Sequence, residues 1–179
     1  MQNALFFIYF IGLSGSGKST ISRRLAAILR EKYKVRLQVL DGDEIRSRLE
    51  GMFGYSYAER MKSNRVARVV AQYLLENNIS VLLSQVGAYK TMRDSTRLQF
   101  KEYYIEVYVK CSIEECARRD TKGYYKAFKE GRLENFNGGD EIFEVPYSSD
   151  IVVDTEKESI ENAVDKIERY LIDRGYLNA

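Results

Sequence analysis

The segment Gly12-Leu13-Ser14-Gly15-Ser16-Gly17-Lys18-Ser19 constrains this chain more than any other. It meets G-x-x-x-x-G-K-[ST] at every fixed position, and it lies where one periodicity gives way to another. Before it, Leu5–Ile11 is a continuous apolar run, the pattern of a strand covered on both faces. After it, Lys18–Lys32 carries apolar residues at helical spacing. Glycines let the loop backbone curl its N–H groups toward phosphate oxygens. The helix start adds partial positive charge, and Lys18 adds a full one. Ser19 offers a hydroxyl to a magnesium ion. A glycine-rich turn of purely structural purpose would not need the full eight-residue pattern between a strand and a helix.

The rest of the chain repeats this alternation. Further strands are expected at Arg36–Leu40, Ser80–Ser84, Tyr104–Lys110 and Ile151–Val153. Helices are expected at Asp43–Leu49, Tyr57–Glu76, Thr91–Phe100, Ile113–Arg119 and Lys157–Arg174. The expected fold is α/β, a P-loop NTPase-type parallel sheet with helices on both faces. The length of 179 residues suits one kinase domain over 1–179. From Thr121 to Tyr147 no period is visible, but there are four glycines and the only proline, Pro146. A long aperiodic stretch in such a fold suggests a mobile lid over the nucleotide.

Composition excludes several classes. Lys plus Arg number 28 against 26 Asp plus Glu, so no charge excess argues for a nucleic-acid polymer or a membrane surface. The apolar start is too short to span a bilayer and lacks a basic leader, so a cytoplasmic location is expected. Cys111 and Cys116 fit no metal spacing and read as free thiols near the core. Histidine is absent, which removes Ser-His and Cys-His nucleophilic systems. Proton transfer therefore falls to a carboxylate, Lys, Tyr or Cys.

Asp41-Gly42-Asp43 follows the second strand, at the sheet edge where α/β folds bind ligands. The strand Ser80–Ser84 ends without a carboxylate, so Asp41 and Asp43 are the candidates for magnesium-side contact and for a base. A helix N-cap is the structural alternative for each. Arg46, Arg60, Arg119 and Lys122 are the available phosphate clamps.

These residues together resemble one family, the adenylyl-sulfate kinases. GLSGSGKST is similar to the family's GLSGAGKST, and Leu40-Asp41-Gly42-Asp43 with Arg46 to its LDGDNVR. Arg119, Asp120, Lys122, Gly123, Tyr125 and Lys126 fall on CxxRDxKGLYK, and Phe136, Gly138, Asp140, Glu144 and Pro146 on FTGIDxPYExP. The resemblance implies transfer of the ATP γ-phosphate to a nucleotide's 3′-hydroxyl. It implies Gly12, Ser14, Gly15, Ser16, Gly17, Lys18, Ser19 and Thr20 around the ATP phosphates, with Arg119 near the ATP base. Ser19 and Asp41 would meet Mg2+, Asp43 would be the base, and Lys122 would reach phosphate. Arg46 and Arg60 would grip the acceptor's phosphate, and Tyr55 and Phe136 would sandwich its base. Ser63 and Tyr89 complete the acceptor side, and the family implies a homodimer. Departures gather on that side: Ser63 for Asn, Val66 for Arg, Gly87-Ala88 for Ser-Pro, Asn137 for Thr. Adenylyl sulfate is the leading acceptor. A related nucleotide such as cytidine diphosphoramidate, used in capsule modification, and a non-catalytic ATP-binding protein stay open as alternatives.

Overall fold

The structure, a computed structural model, describes residues 4–140 and 142–178. Strand β1 is Phe7–Ile11, and the phosphate loop leads from it into helix α1, Lys18–Glu31. There follow β2 (Leu37–Asp41), α2 (Gly42–Arg48), α3 (Tyr57–Glu76), β3 (Ser80–Ser84), α4 (Lys90–Phe100) and β4 (Tyr104–Lys110). Then come α5 (Ile113–Arg119), α6 (Tyr124–Lys129), β5 (Ile151–Asp154) and α7 (Ile160–Asp173). The five strands form one sheet in the order β2-β3-β1-β4-β5, every neighbouring pair parallel. All five strands expected from the sequence are there, with ends shifted by at most two residues.

The continuous apolar run of β1 is explained by what covers it. Phe6, Ile8 and Phe10 enter a core with Ile21, Leu25 and Leu29 of α1 and Val164, Ile167 and Leu171 of α7. Phe7, Tyr9 and Ile11 point the other way, into a core with Ala67 and Ala71 of α3 and Phe100. Successive side chains thus bury on opposite faces, as a strand in the middle of a three-layer fold requires.

Two local expectations are corrected. Helix α7 starts at Ile160 rather than Lys157, because the Ser159 side chain accepts the Asn162 N–H and caps it there. Segment 121–147 is not wholly irregular, since it contains α6. The Asp120 carboxylate accepts the N–H groups of Tyr125 and Lys126 at 3.1 and 3.0 Å, holding the first turn of a six-residue helix. So short a helix carries too few turns to display a period.

Candidate active site

The C-terminal ends of β1, β2 and β3 converge on one edge. Gly12 lets the loop leave β1 there: a Cβ on it would lie 2.4 Å from the Val109 carbonyl oxygen. No residue with a side chain fits so close to β4. Lys18 folds back over the loop, its ammonium donating to the Leu13 carbonyl at 2.6 Å. Burial, with Lys122 nearby, lowers its pKa to about 8. A site that strips water from an ammonium in this way favours an anionic ligand.

The phosphate loop and the Asp41–Asp43 turn are joined directly. Ser19 Oγ donates to Asp41 Oδ2 at 2.6 Å. Asp41 Oδ1 meanwhile accepts the Asp43 N–H at 3.0 Å, capping α2. Asp41 is therefore the helix cap the sequence offered as an alternative, and its second oxygen is turned to the phosphate loop. Burial pushes its carboxyl upward, but Ser19, the Asp43 N–H, Lys122 and Arg23 together hold it below the usual carboxylate range. An ionised carboxylate beside a hydroxyl is a hard oxygen pair, the donor set that suits Mg2+ when phosphate oxygens complete the shell. Gly42 is needed for another reason than the turn. A Cβ there would lie 2.5 Å from Gln85 Cγ, whose side chain fills the space under α2.

Two cavities flank this junction. One, of ≈ 390 Å3, is lined by Gly15, Gly17, Ser19, Thr20, Arg119 and Lys122 among others. Arg119 is fixed on its wall by Glu115 at 2.8 Å and by the Thr155 hydroxyl and carbonyl at 3.1 and 2.9 Å. The other encloses only ≈ 70 Å3, between Asp41, Asp43, Arg46, Tyr55, Arg60, Ser63, Phe136 and their neighbours. Small-molecule pockets begin at roughly 300 Å3, so this second cavity is narrow as it stands. Lys122 lines both and forms an ion pair with Asp43 across the junction.

What narrows the second cavity is a ring that the sequence did not single out. Tyr124, first residue of α6, stands edge-on to Tyr55 at 6.4 Å between centroids and to Phe136 at 6.2 Å. Burial, then the Asp43 carboxylate and a hydrogen bond shared with Tyr55, raise its phenol above the ordinary range. Arg46 and Arg60 both lie over the Tyr55 ring, at 4.8 and 5.2 Å. Arg46 donates to the Phe53 and Gly54 carbonyls. Arg60 donates to the Tyr55 and Asn135 carbonyls at 2.7 Å each. The two guanidiniums are thus held in place by backbone. Tyr89 is buried in a small apolar cluster with Ala88 and Met92, outside the cavity lining. Tyr124 had one available signal, the doubled tyrosine of Lys122-Gly123-Tyr124-Tyr125, where the family pattern has Leu-Tyr.

The sequence profile of the adenylylsulphate kinases matches residues 4–154. The chain is 37% identical over 172 residues to the adenylyl-sulfate kinase of Halothermothrix orenii, covering 96% of this chain and 91% of that protein. It is 38% identical to a probable bifunctional SAT/APS kinase 2 of Sorangium cellulosum, of whose length it spans 29%. Among solved structures, it superposes on the Mycobacterium tuberculosis APS kinase CysC in complex with AMPPNP and APS. That match has a TM-score of 0.87 at 28% identity, over 95% of this chain and 99% of that one.

Proposed function

The chain belongs to the adenylylsulphate kinase family, ATP-dependent enzymes that move a phosphoryl group to a hydroxyl, and on that premise we propose adenylyl sulfate, phosphorylated at its 3′-hydroxyl, as the acceptor. The observation that carries this reading is the contact between the two motifs. The Ser19–Asp41 hydrogen bond and the Lys122–Asp43 ion pair set the phosphate loop and a carboxylate at one junction between two cavities. ATP takes the larger cavity, its phosphates on the loop N–H groups and Lys18, its base toward Arg119. The acceptor takes the smaller one. Its phosphate side faces Arg46 and Arg60, and its base lies between Tyr55 and Phe136.

In this arrangement Asp43 accepts the proton of the 3′-hydroxyl as that oxygen attacks the γ-phosphorus, and the bond from that phosphorus to the β,γ-bridging oxygen breaks to release ADP. Lys18 and Lys122 balance the charge that builds on the phosphoryl oxygens. Ser19 and Asp41 would hold Mg2+, which supplies further neutralisation of phosphate charge. For a base to enter the narrow cavity, the α6 end of segment 121–147 must move, carrying Tyr124 and Lys122 with it, while the turn from Asn135 to Asp140 keeps its own hydrogen bonds. That is the lid reading in structural terms.

Cytidine diphosphoramidate stays a second reading for one reason. Ser63 and Asn137, both on the acceptor wall, each carry a neutral buried atom without a hydrogen-bond partner. A wall of this kind suits an uncharged amide as well as a sulfate. The test is kcat/KM for both nucleotides side by side, with the product phosphate mapped to the 3′ position. Efficient turnover of adenylyl sulfate supports the reading. Turnover of the phosphoramidate alone replaces it, and turnover of neither with ATP still bound removes it.

A further inference from the structure

Among the described residues, four buried side-chain atoms lack a hydrogen-bond partner: Ser63 Oγ, Asn64 Oδ1, Arg68 Nε and Asn137 Oδ1. Three belong to α3. The fourth stands alone in segment 121–147, next to Phe136. Asn137 is 1% exposed and lines the narrow cavity.

Its orientation is forced. Asn137 Nδ2 donates to the Ile142 carbonyl at 2.8 Å. A carbonyl oxygen only accepts, so the amide cannot be turned round without setting two oxygens against each other. Oδ1 is therefore an acceptor, and it has no donor. The loop that carries it is also fixed, because the Asp140 carboxylate accepts the N–H groups of Asn135 and Phe136 at 2.9 and 2.7 Å. Gly138 packs beside the Tyr125 hydroxyl, which in turn donates to the Ser14 carbonyl at 3.0 Å. A rigidly held buried acceptor without a partner is rare in folded proteins and calls for a reason. Here the reason lies in the cavity it borders.

We propose that Asn137 Oδ1 reads the acceptor's base by accepting an N–H from its exocyclic amino group. This rests on the acceptor-site reading above and deepens it. Stacking on Phe136 and its neighbours tolerates any base, since every base has a flat face. The unpaired oxygen does not. Adenine and cytosine present an amino group on the edge in question. Hypoxanthine and uracil present a carbonyl oxygen there, which would face a second acceptor in a dry site. Sites built around a buried polar partner reject such analogues strongly. Asn137 is thus a specificity-determining residue, and the acceptor class is a nucleotide with an amino-bearing base.

The decisive comparison needs no variant. The protein is assayed with adenylyl sulfate and with its deaminated hypoxanthine counterpart, at saturating ATP. We expect kcat/KM to favour the amino base by about 10²-fold, in keeping with a lost buried hydrogen bond. Asn137→Ala lowers the adenine value alone and brings the ratio to within about threefold, with the KM for ATP unchanged. Equal use of both bases by the unaltered protein overturns the inference. So does an Asn137→Ala loss that falls equally on both, which would mean the oxygen meets the ribose. Calorimetric binding of cytidine and uridine 5′-diphosphates gives an arm independent of turnover, since they differ by the same exchange. If adenylyl sulfate is not phosphorylated but the cytidine nucleotide binds more tightly than the uridine one, the acceptor reading fails and the role of Asn137 stands. If neither amino base is preferred in either arm, Asn137 does not read the base.

Discussion

The two cavities meet at one junction but are built in opposite ways. The cavity proposed for ATP offers ≈ 390 Å3, bordered by the glycine loop, the first turn of α1 and Arg119. The cavity proposed for the acceptor is narrowed to ≈ 70 Å3 by side chains drawn from α2, α3, α6 and the loops around them. Backbone N–H groups bind any phosphate and vary little with sequence. Side-chain walls can be changed one residue at a time, and Ser63, Gly87, Ala88 and Asn137, which depart from the family pattern, line that cavity. On the proposed reading, the difference separates the chemistry from the choice of substrate.

Four measurements press on that division, taken from the largest expected effect downward. Lys18→Ala removes the charge against the transferred phosphoryl group. Turnover should fall by about 10³-fold, the scale of a lost transition-state clamp. Near-normal turnover would mean that backbone alone suffices on the ATP side. Asp43→Asn should lower kcat by about 10²-fold without weakening ATP binding. A loss of ATP affinity instead would move Asp43 to the other side of the junction.

The third is a pH titration of ATP binding. Burial, then Lys122, lowers Lys18 to about pH 8 in the free protein, and bound phosphate must raise it again. Affinity should be full below pH 8 and decline above it, by up to tenfold per pH unit, with proton uptake seen as a buffer-dependent binding enthalpy. A flat profile from pH 7 to 9 would show that Lys18 does not gain its proton on binding. The last concerns Tyr124. Its two edge contacts, each about 0.5–1.5 kcal/mol, must be broken for a base to enter. Tyr124→Leu should lower the acceptor KM by about fivefold while the KM for ATP stays within twofold. A higher acceptor KM would identify Tyr124 as a wall of the bound state instead.

The same asymmetry governs what could be read from the amino-acid order. The phosphate loop, Asp41-Gly42-Asp43 and the five strands are local patterns, and the structure has all of them. The Ser19–Asp41 bond joins residues 22 apart and could only be inferred from the shared sheet edge. Tyr124 against Tyr55 and Phe136 depends on three separate segments closing together, and no local period encodes it. Arg46 and Arg60 were legible as cations but not as side chains fixed by carbonyls, because their partners are backbone atoms of no particular residue type. Helix α6 was missed because the carboxylate that holds its first turn, Asp120, sits inside a run already full of charges.

Lys122 gives the junction the character of an interlock. It borders both cavities and neutralises Asp43 when no phosphate is present. A polyphosphate arriving in the larger cavity meets the same ammonium, so the carboxylate and the phosphate draw on one cation. Competition of this kind runs both ways: what loosens Lys122 from Asp43 frees it for phosphate, and bound phosphate frees Asp43 for a partner of its own.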